Sequence, residues 1–435
     1  MSRDGGRRRP AVAVGIVALA AVLGAGCAAV PAAPLPPWLQ STAVAGAPSE
    51  AGSATSQPPT PQQRAQRCDI AGGDTALVNP AVVGLDVEQV QRAVGVAAQS
   101  GASSLRVYRH DCLVAKSLAD TVTERMRLPL WSLTKGLVAL VAGRAVTLGF
   151  AHLDDSIGKY LPNVDELHSR ITIRHLLTQT SGLRFAWAND VTAGGVGNSV
   201  DYALALPFDH EPGSYFEYAQ VTVSLLAAVV ASAVGQPFAE FAQRNLFDPL
   251  GIADVEVAWA TDAAGNTLGY AFAEATPVAL GKIGSLLLRN GVFDGRQLIS
   301  ERFVQEARSS SPANPKYGFL MWTNQGSWGF TGSELTRRRS TQRWMQGAPQ
   351  DAFGLTGMLE QYVIVIPSTD MVIVRTGFFG PNGWKYDLMS ALGRAVQDQD
   401  VPTPAPYVEE PIFEVTLESL GKAIDLDTWQ LASSP

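Results

Sequence analysis

Trp131-Ser132-Leu133-Thr134-Lys135-Gly136-Leu137-Val138-Ala139-Leu140-Val141-Ala142-Gly143-Arg144 is the stretch on which the reading of this chain turns. From Ser132 to Phe150 the pattern is helical and almost wholly apolar, and the next polar side chain after Lys135 is Arg144. Ser-x-x-Lys on a helix puts a hydroxyl and an amine one turn apart on one face. An amine set among apolar side chains is expected to be desolvated, which lowers its pKa and makes it a usable base. A neutral amine at Lys135 then takes the Ser132 proton and activates the oxygen as a nucleophile. The helix N-terminus adds a field that favours negative charge developing at Ser132.

The tetrapeptide alone does not choose, because Ser156-Ile157-Gly158-Lys159 and Ser419-Leu420-Gly421-Lys422 satisfy it as well. Both have Gly just before the Lys and lie in short polar surroundings, where an amine stays solvated and protonated. Context selects Ser132 and Lys135.

Working outward, Asp86 is expected to cap a helix, with Gln89 in the capping-box position and Gly101 stopping it. Leu105 to Tyr108 and Leu113 to Lys116 flank Arg109-His110-Asp111, which predicts a hairpin. Further helical patterns cover Val221 to Val234 and Val278 to Asn290. Tyr362 to Ile366 and Met371 to Val374 are two strands joined by Pro367-Ser368-Thr369-Asp370. Strands at both ends with helices between them indicate an α+β fold, one sheet carrying a helical insert over about 145–300.

Composition bounds the function. The chain has 435 residues, 46% hydrophobic and 17% charged. A core of that size excludes a wholly disordered, collagen-like or polytopic membrane chain. A net charge of -7 argues against nucleic acid as a ligand, since phosphate binding needs clustered Lys and Arg.

Arg3, Arg7, Arg8 and Arg9 precede an apolar run from Ala11 to Ala25, too short to span a bilayer as a helix. Residues 1–27 are therefore expected to be a signal peptide. It ends in Leu23-Gly24-Ala25-Gly26-Cys27, which resembles a lipobox with Gly24 where Leu is usual. Cys27 would become the lipidated first residue, placing the protein in the cell envelope on the outer face of the cytoplasmic membrane; ordinary cleavage would secrete it. Residues 28–66 are rich in Pro, Ala, Ser and Gln and are expected to be a flexible linker. The folded domain would then run from 67 to 400, with 401–435 an appended tail. Cys68 and Cys112 remain as a possible disulfide in an oxidising compartment; two isolated buried thiols are the other reading.

The resemblance becomes specific around the nucleophile. Trp-Ser-Leu-Thr-Lys is followed by Ile171-Thr172-Ile173-Arg174-His175-Leu176-Leu177-Thr178-Gln179-Thr180-Ser181-Gly182-Leu183. Asp154-Asp155, Lys159-Tyr160-Leu161-Pro162 and Asn245-Leu246-Phe247-Asp248-Pro249-Leu250-Gly251 accompany them. Together, over about 80–395, these resemble the serine hydrolase family of class C β-lactamases, penicillin-binding carboxypeptidases, D-amino-acid peptidases, esterases and nylon-oligomer hydrolases. The resemblance implies a β-lactamase/transpeptidase-like fold, an antiparallel sheet flanked by helices. It constrains the substrate far less than the fold.

The family's second motif, Tyr-x-Asn after a Pro-Gly, corresponds to Tyr218-Ala219-Gln220 after Pro212-Gly213. By resemblance Tyr218 faces Ser132 and Lys135 and protonates the leaving group, with Tyr215 the main competitor for that role. Gln220 stands for the usual Asn, and its extra methylene is expected to displace contacts to a substrate carbonyl. The third motif, normally Lys-Thr-Gly or His-x-Gly, is best matched by Leu355-Thr356-Gly357. Gly357 would let the backbone come close to the substrate, and the N–H groups of Met358 and Ser132 would form the oxyanion hole. Leu355 cannot pair with a substrate carboxylate and is expected to line the site as an apolar wall. Glu360 precedes Gln361 where relatives often have Gly-Gln, implying an unusual wall there too. Trp187, Asn189 and Asp190 correspond to a loop that lines the cleft in similar proteins.

Other chemistries lack their residues. No Gly-x-Ser-x-Gly pentapeptide occurs. The five His, at 110, 152, 168, 175 and 210, lack the short spacings of zinc sites. No metal or cofactor is expected, and Gly-rich phosphate loops are missing. The favoured expectation is a hydrolase working through an acyl-Ser132 intermediate on a small-molecule ester or amide. β-Lactamase or D-Ala carboxypeptidase activity is the alternative, and a catalytically weak envelope binding protein is a second one.

Overall fold

The computed structural model describes residues 67–70, 76–162, 164–331, 338–409 and 423–433. The expected signal peptide, the linker, Cys27 and the Ser419/Lys422 pair lie outside the described residues.

Helix α1 (Val87–Gln99) starts where Asp86 Oδ1 accepts the Gln89 N–H at 2.8 Å. It ends at Ser100 before Gly101, whose φ of +70° suits a residue without Cβ. Strands β1 (Ala102–Arg109) and β2 (Cys112–Lys116) form the hairpin, turning at His110 and Asp111. Cys68 and Cys112 are joined in a disulfide with their Cα atoms 4.8 Å apart, tying the start of the described chain to this hairpin.

Helix α2 (Leu133–Thr147) follows, and every residue from Leu133 to Gly143 is buried. A helix that is apolar all round has no solvent face and belongs in a core. The insert then contributes α3 (Trp187–Val196), α4 (Ser199–Ala205), α5 (Val221–Val234) and α6 (Pro277–Leu288). Four strands complete the main sheet: β3 (Trp322–Thr323), β4 (Phe353–Gly357), β5 (Gln361–Ile366) and β6 (Met371–Gly377). Helix α7 (Trp384–Ala395) packs against α1.

The sheet order is β2-β1-β6-β5-β4-β3, and its paired neighbours are antiparallel. First and last strands are neighbours because Val107 faces Ile373 and Arg109 faces Met371. Period two divides each central strand between two cores. Val363, Val365, Val372 and Val374 join the core with α2, α5 and α6; Ile364, Ile366, Met371 and Ile373 join the one under α1 and α7. That double burial is why these strands read as unbroken apolar runs.

The C-terminal stretch departs from the expected tail. Leu426–Ser433 forms helix α8, packed on α3 and α4, with Thr428 and Ala432 buried. Its buried face uses small residues four apart, and Pro402, Pro404 and Pro406 ahead of it favour extended chain. Neither gives an apolar signal in sequence.

Candidate active site

Lys135 enters the core one turn into α2 and is 1% exposed. Its Nζ lies 3.3 Å from Ser132 Oγ, 2.7 Å from Gln220 Oε1 and 2.9 Å from the Tyr270 carbonyl oxygen. Two of these three neighbours, the amide and peptide oxygens, can only accept. A neutral amine has two N–H groups and one lone pair, so donation to both oxygens turns the lone pair toward the Ser132 hydroxyl. Burial pushes Lys135 well below the ordinary lysine range, and the charge of Asp190 opposes that shift only in part. The site therefore favours the protonation state that a base needs.

Tyr218 stands beside this pair. Lys135 Nζ sits 4.7 Å from its ring centroid, and Ser132 and Trp322 are near enough to its hydroxyl to pull its pKa down against burial. Tyr317 and Trp322 flank the ring at 6.0 and 5.9 Å between centroids. Burial pushes the Tyr218 hydroxyl up to about 12, so it stays protonated at neutral pH. Tyr215, the competitor, stacks on His210 with centroids 3.8 Å apart.

Gly357 brings β4 against the segment that carries the nucleophile. A Cβ there would lie 2.0 Å from the Leu130 carbonyl oxygen and 3.1 Å from the Leu133 nitrogen. Only glycine permits that approach, which sets the backbone after Gly357 beside that of residues 130–133. Ser132 and Met358, the expected oxyanion pair, thus lie on two segments in contact.

Several expectations need correction. Leu355 is 1% exposed and packs over Gly136, where a Cβ would lie 2.3 Å from Leu355 Cδ2. It belongs to the core and offers substrate no apolar wall. Gln220, as its longer side chain led one to expect, is drawn into the protein: its amide oxygen accepts from Lys135 Nζ and its amide nitrogen donates to the Tyr218 carbonyl oxygen.

Trp187, Asn189 and Asp190 form the first turn of α3, not a loop. Trp187 is half-buried at its start. Asn189 Nδ2 donates to the Asp425 carbonyl oxygen and to Thr428 Oγ1, so it fastens α8 rather than touching a ligand. Asp190 is fully buried. The Glu360 carboxylate accepts from the Gly380 N–H, Trp384 Nε1 and Lys385, which anchors the turn after β4 to the start of α7.

Ser156 caps a short turn by accepting the Gly158 N–H, and Lys159 pairs with Asp155 at the surface. Sequence reasoning missed Tyr270, Tyr317 and Trp322. The dense run Tyr317-Gly318-Phe319-Leu320-Met321-Trp322 was the available signal for the last two. No cluster of three or more potential metal-ligating side chains is found among the described residues.

A family model described as Beta-lactamase matches residues 87–376. The chain belongs to the beta-lactamase family. Among curated relatives, the esterase EstB of Burkholderia gladioli is 30% identical over 183 residues, covering 37% of this chain and 46% of its own. A beta-lactamase of Providencia stuartii is 27% identical over 144 residues, covering 33% and 37% of the two chains. The chain spans less than half the length of either. A putative beta-lactamase of Bacteroides dorei shares the fold with a TM-score of 0.56 at 16% identity, covering 72% of this chain and all of its own. EstCE1, described as a hydrolase with promiscuous acyltransferase activity, has a TM-score of 0.55 at 17% identity, covering 70% and 98%. The protein thus has the beta-lactamase fold, an antiparallel sheet with helices on both faces.

Proposed function

We propose that this member of the beta-lactamase family is a serine hydrolase that forms an acyl-Ser132 intermediate on neutral ester or amide substrates. The observation that carries the reading is the desolvated Lys135 amine, with two fixed acceptors and Ser132 Oγ in its third direction. Ser132 Oγ–H passes its proton to Lys135 Nζ as the oxygen attacks the substrate carbonyl. The oxyanion takes hydrogen bonds from the N–H groups of Ser132 and Met358. Collapse breaks the bond to the leaving group, whose alkoxide or amide nitrogen takes a proton from Tyr218; the lysine proton then returns to Tyr218. Water, deprotonated by the same pair, hydrolyses the ester to Ser132 and releases the acid. Tyr218, raised by burial, is suited to give a proton, and Lys135, lowered by burial, to take one.

The third-motif position carries Leu355, turned into the core over Gly136, so it delivers no cation to a substrate carboxylate, which favours esters and neutral amides over β-lactams. EstB, named an esterase, accords with that preference. The curated β-lactamase relative keeps β-lactam hydrolysis as the second reading. For localisation, we propose export and anchoring through lipid on Cys27, from the basic start, short apolar run and lipobox-like end of residues 1–27. Globomycin would then leave an unprocessed precursor.

Labelling with a fluorophosphonate, followed by peptide mass mapping, tests the mechanism. The adduct is expected on Ser132 and is lost in Ser132→Ala but kept in Ser156→Ala. An adduct on another serine, or no adduct at all, overturns the reading.

A further inference from the structure

Asp190 is a buried carboxylate that the mechanism above leaves unused. It lies in the first turn of α3, and its Oδ2 accepts the N–H groups of Gln220 at 2.9 Å and Val221 at 3.1 Å. Those are the first groups of α5, which has no side-chain cap of its own. The carboxylate thus sits at the N-termini of two helices, where their dipoles favour its ionised form. Oδ1 is buried with no hydrogen-bond partner, an arrangement that burdens the ionised form in the opposite direction. The residue that Asp190 holds by its backbone N–H, Gln220, is the one whose side chain holds Lys135.

We propose that Asp190 is a positioning residue for the acylation step, the charge partner of Lys135 that also fixes Gln220 Oε1 on the amine. This rests on the reading of Ser132 and Lys135 as nucleophile and base. When Ser132 gives up its proton, Lys135 becomes a cation in a fully buried site. An uncompensated buried cation is costly, and a paired one far less so. Ionised Asp190 provides the opposite charge without touching substrate. The proton count is unchanged: it leaves Ser132 Oγ, rests on Lys135 Nζ and moves on to Tyr218 as the leaving group is protonated.

The groups that surround Asp190 are few. Lys135 comes from α2, Tyr202 from α4, and Tyr270 from the segment that also gives its carbonyl to Lys135. Asp425 flanks α8, and Asp262 acts on Tyr270. Helix α5 carries no titratable side chain. Lys135 is the cation among these, and Asp190 reaches it across Gln220, whose backbone N–H it accepts and whose side chain holds the amine, rather than by direct ion-pair contact. Burial pushes Asp190 up to about 7, against the two backbone N–H groups and Lys135, which pull it down. Each of the two groups therefore favours the charged form of the other.

Two measurements test the pairing. The first is the rate of fluorophosphonate labelling of Ser132 against pH, in the parent chain and in Asp190→Asn. Asn keeps an oxygen for the Gln220 and Val221 N–H groups and removes the charge. The acid limb is expected to move to lower pH by about one unit or more, with a lower plateau, because the lysine cation has lost its partner. A plateau that falls while the limb stays fixed reflects a structural role only and overturns the proposal.

The second measurement does not depend on activity. In Ser132→Ala, the protonated-carboxyl infrared band that Asp190→Asn removes is titrated with and without Lys135→Met. Loss of the cation is expected to raise the midpoint; an unmoved midpoint overturns the pairing. Failure of the parent chain to label at any pH would instead refute the acyl-serine reading, while the infrared comparison still decides whether the two groups are paired.

Discussion

Gly357→Ala tests how the oxyanion site is built. The added methyl would start 2.0 Å from the Leu130 carbonyl oxygen and 3.1 Å from the Leu133 nitrogen. Carbon–oxygen contacts settle at about 3.3–3.6 Å, so β4 and the 130–133 segment must separate by about 1.3 Å. Both neighbours are backbone, so no side-chain rotation relieves the clash. The movement draws the Met358 N–H away from where the oxyanion forms, and a misplacement of about 1 Å costs about 100-fold in rate. That is about 2.7 kcal/mol of transition-state stabilisation, in the range measured for losing one oxyanion donor. Overpacking is expected to cost stability as well, about 1–3 kcal/mol. The assay is the second-order rate of fluorophosphonate labelling at Ser132, with a urea midpoint on the same sample. A folded variant that labels within about threefold of the parent, far short of the factor derived from the displacement, would refute the reasoning.

Three further outcomes are expected. Labelling should rise with pH through a midpoint well below the ordinary lysine value, because burial disfavours the ammonium form, and should not fall by about pH 9 because Tyr218 keeps its proton; a descending limb in that range contradicts the assigned roles. Replacing Cys68 and Cys112 by Ser opens a link between residues 44 apart, expected to cost about 4 kcal/mol in the chain-entropy model and to lower the urea midpoint while native-state labelling is unchanged. Leu355→Ala should lose about 2–5 kcal/mol as a core truncation, and Leu355→Lys should gain nothing on nitrocefin relative to p-nitrophenyl butyrate, since its amine would be buried over Gly136 beside Lys135; a gain on nitrocefin would show that the position opens to substrate after all.

The parts legible in sequence were those whose signal is local. An apolar helix beginning at Ser-x-x-Lys, an Asp cap and a Gly stop on α1, and two apolar runs joined by a Pro-Ser-Thr-Asp turn each carry their physics within a few residues. So did the choice of Ser132 over Ser156, because the surroundings of an amine decide whether it can be neutral. Direction was harder to read. Leu355 occupies its motif position, but its strand is buried on both faces, so alternation does not say which side meets substrate. Its contact with Gly136 is made across the fold and leaves no mark in either segment. Asp190 was grouped with Trp187 and Asn189 as a loop residue because the corresponding segment lines the cleft as a loop in similar proteins. Here Asn189 binds the Asp425 carbonyl just ahead of α8, 236 residues away in sequence, and Asp190 caps a helix 30 residues on. Both roles depend on long-range docking. A buried carboxylate that joins the cap of one helix to the base on another is defined by three segments at once, and no window of sequence contains all three.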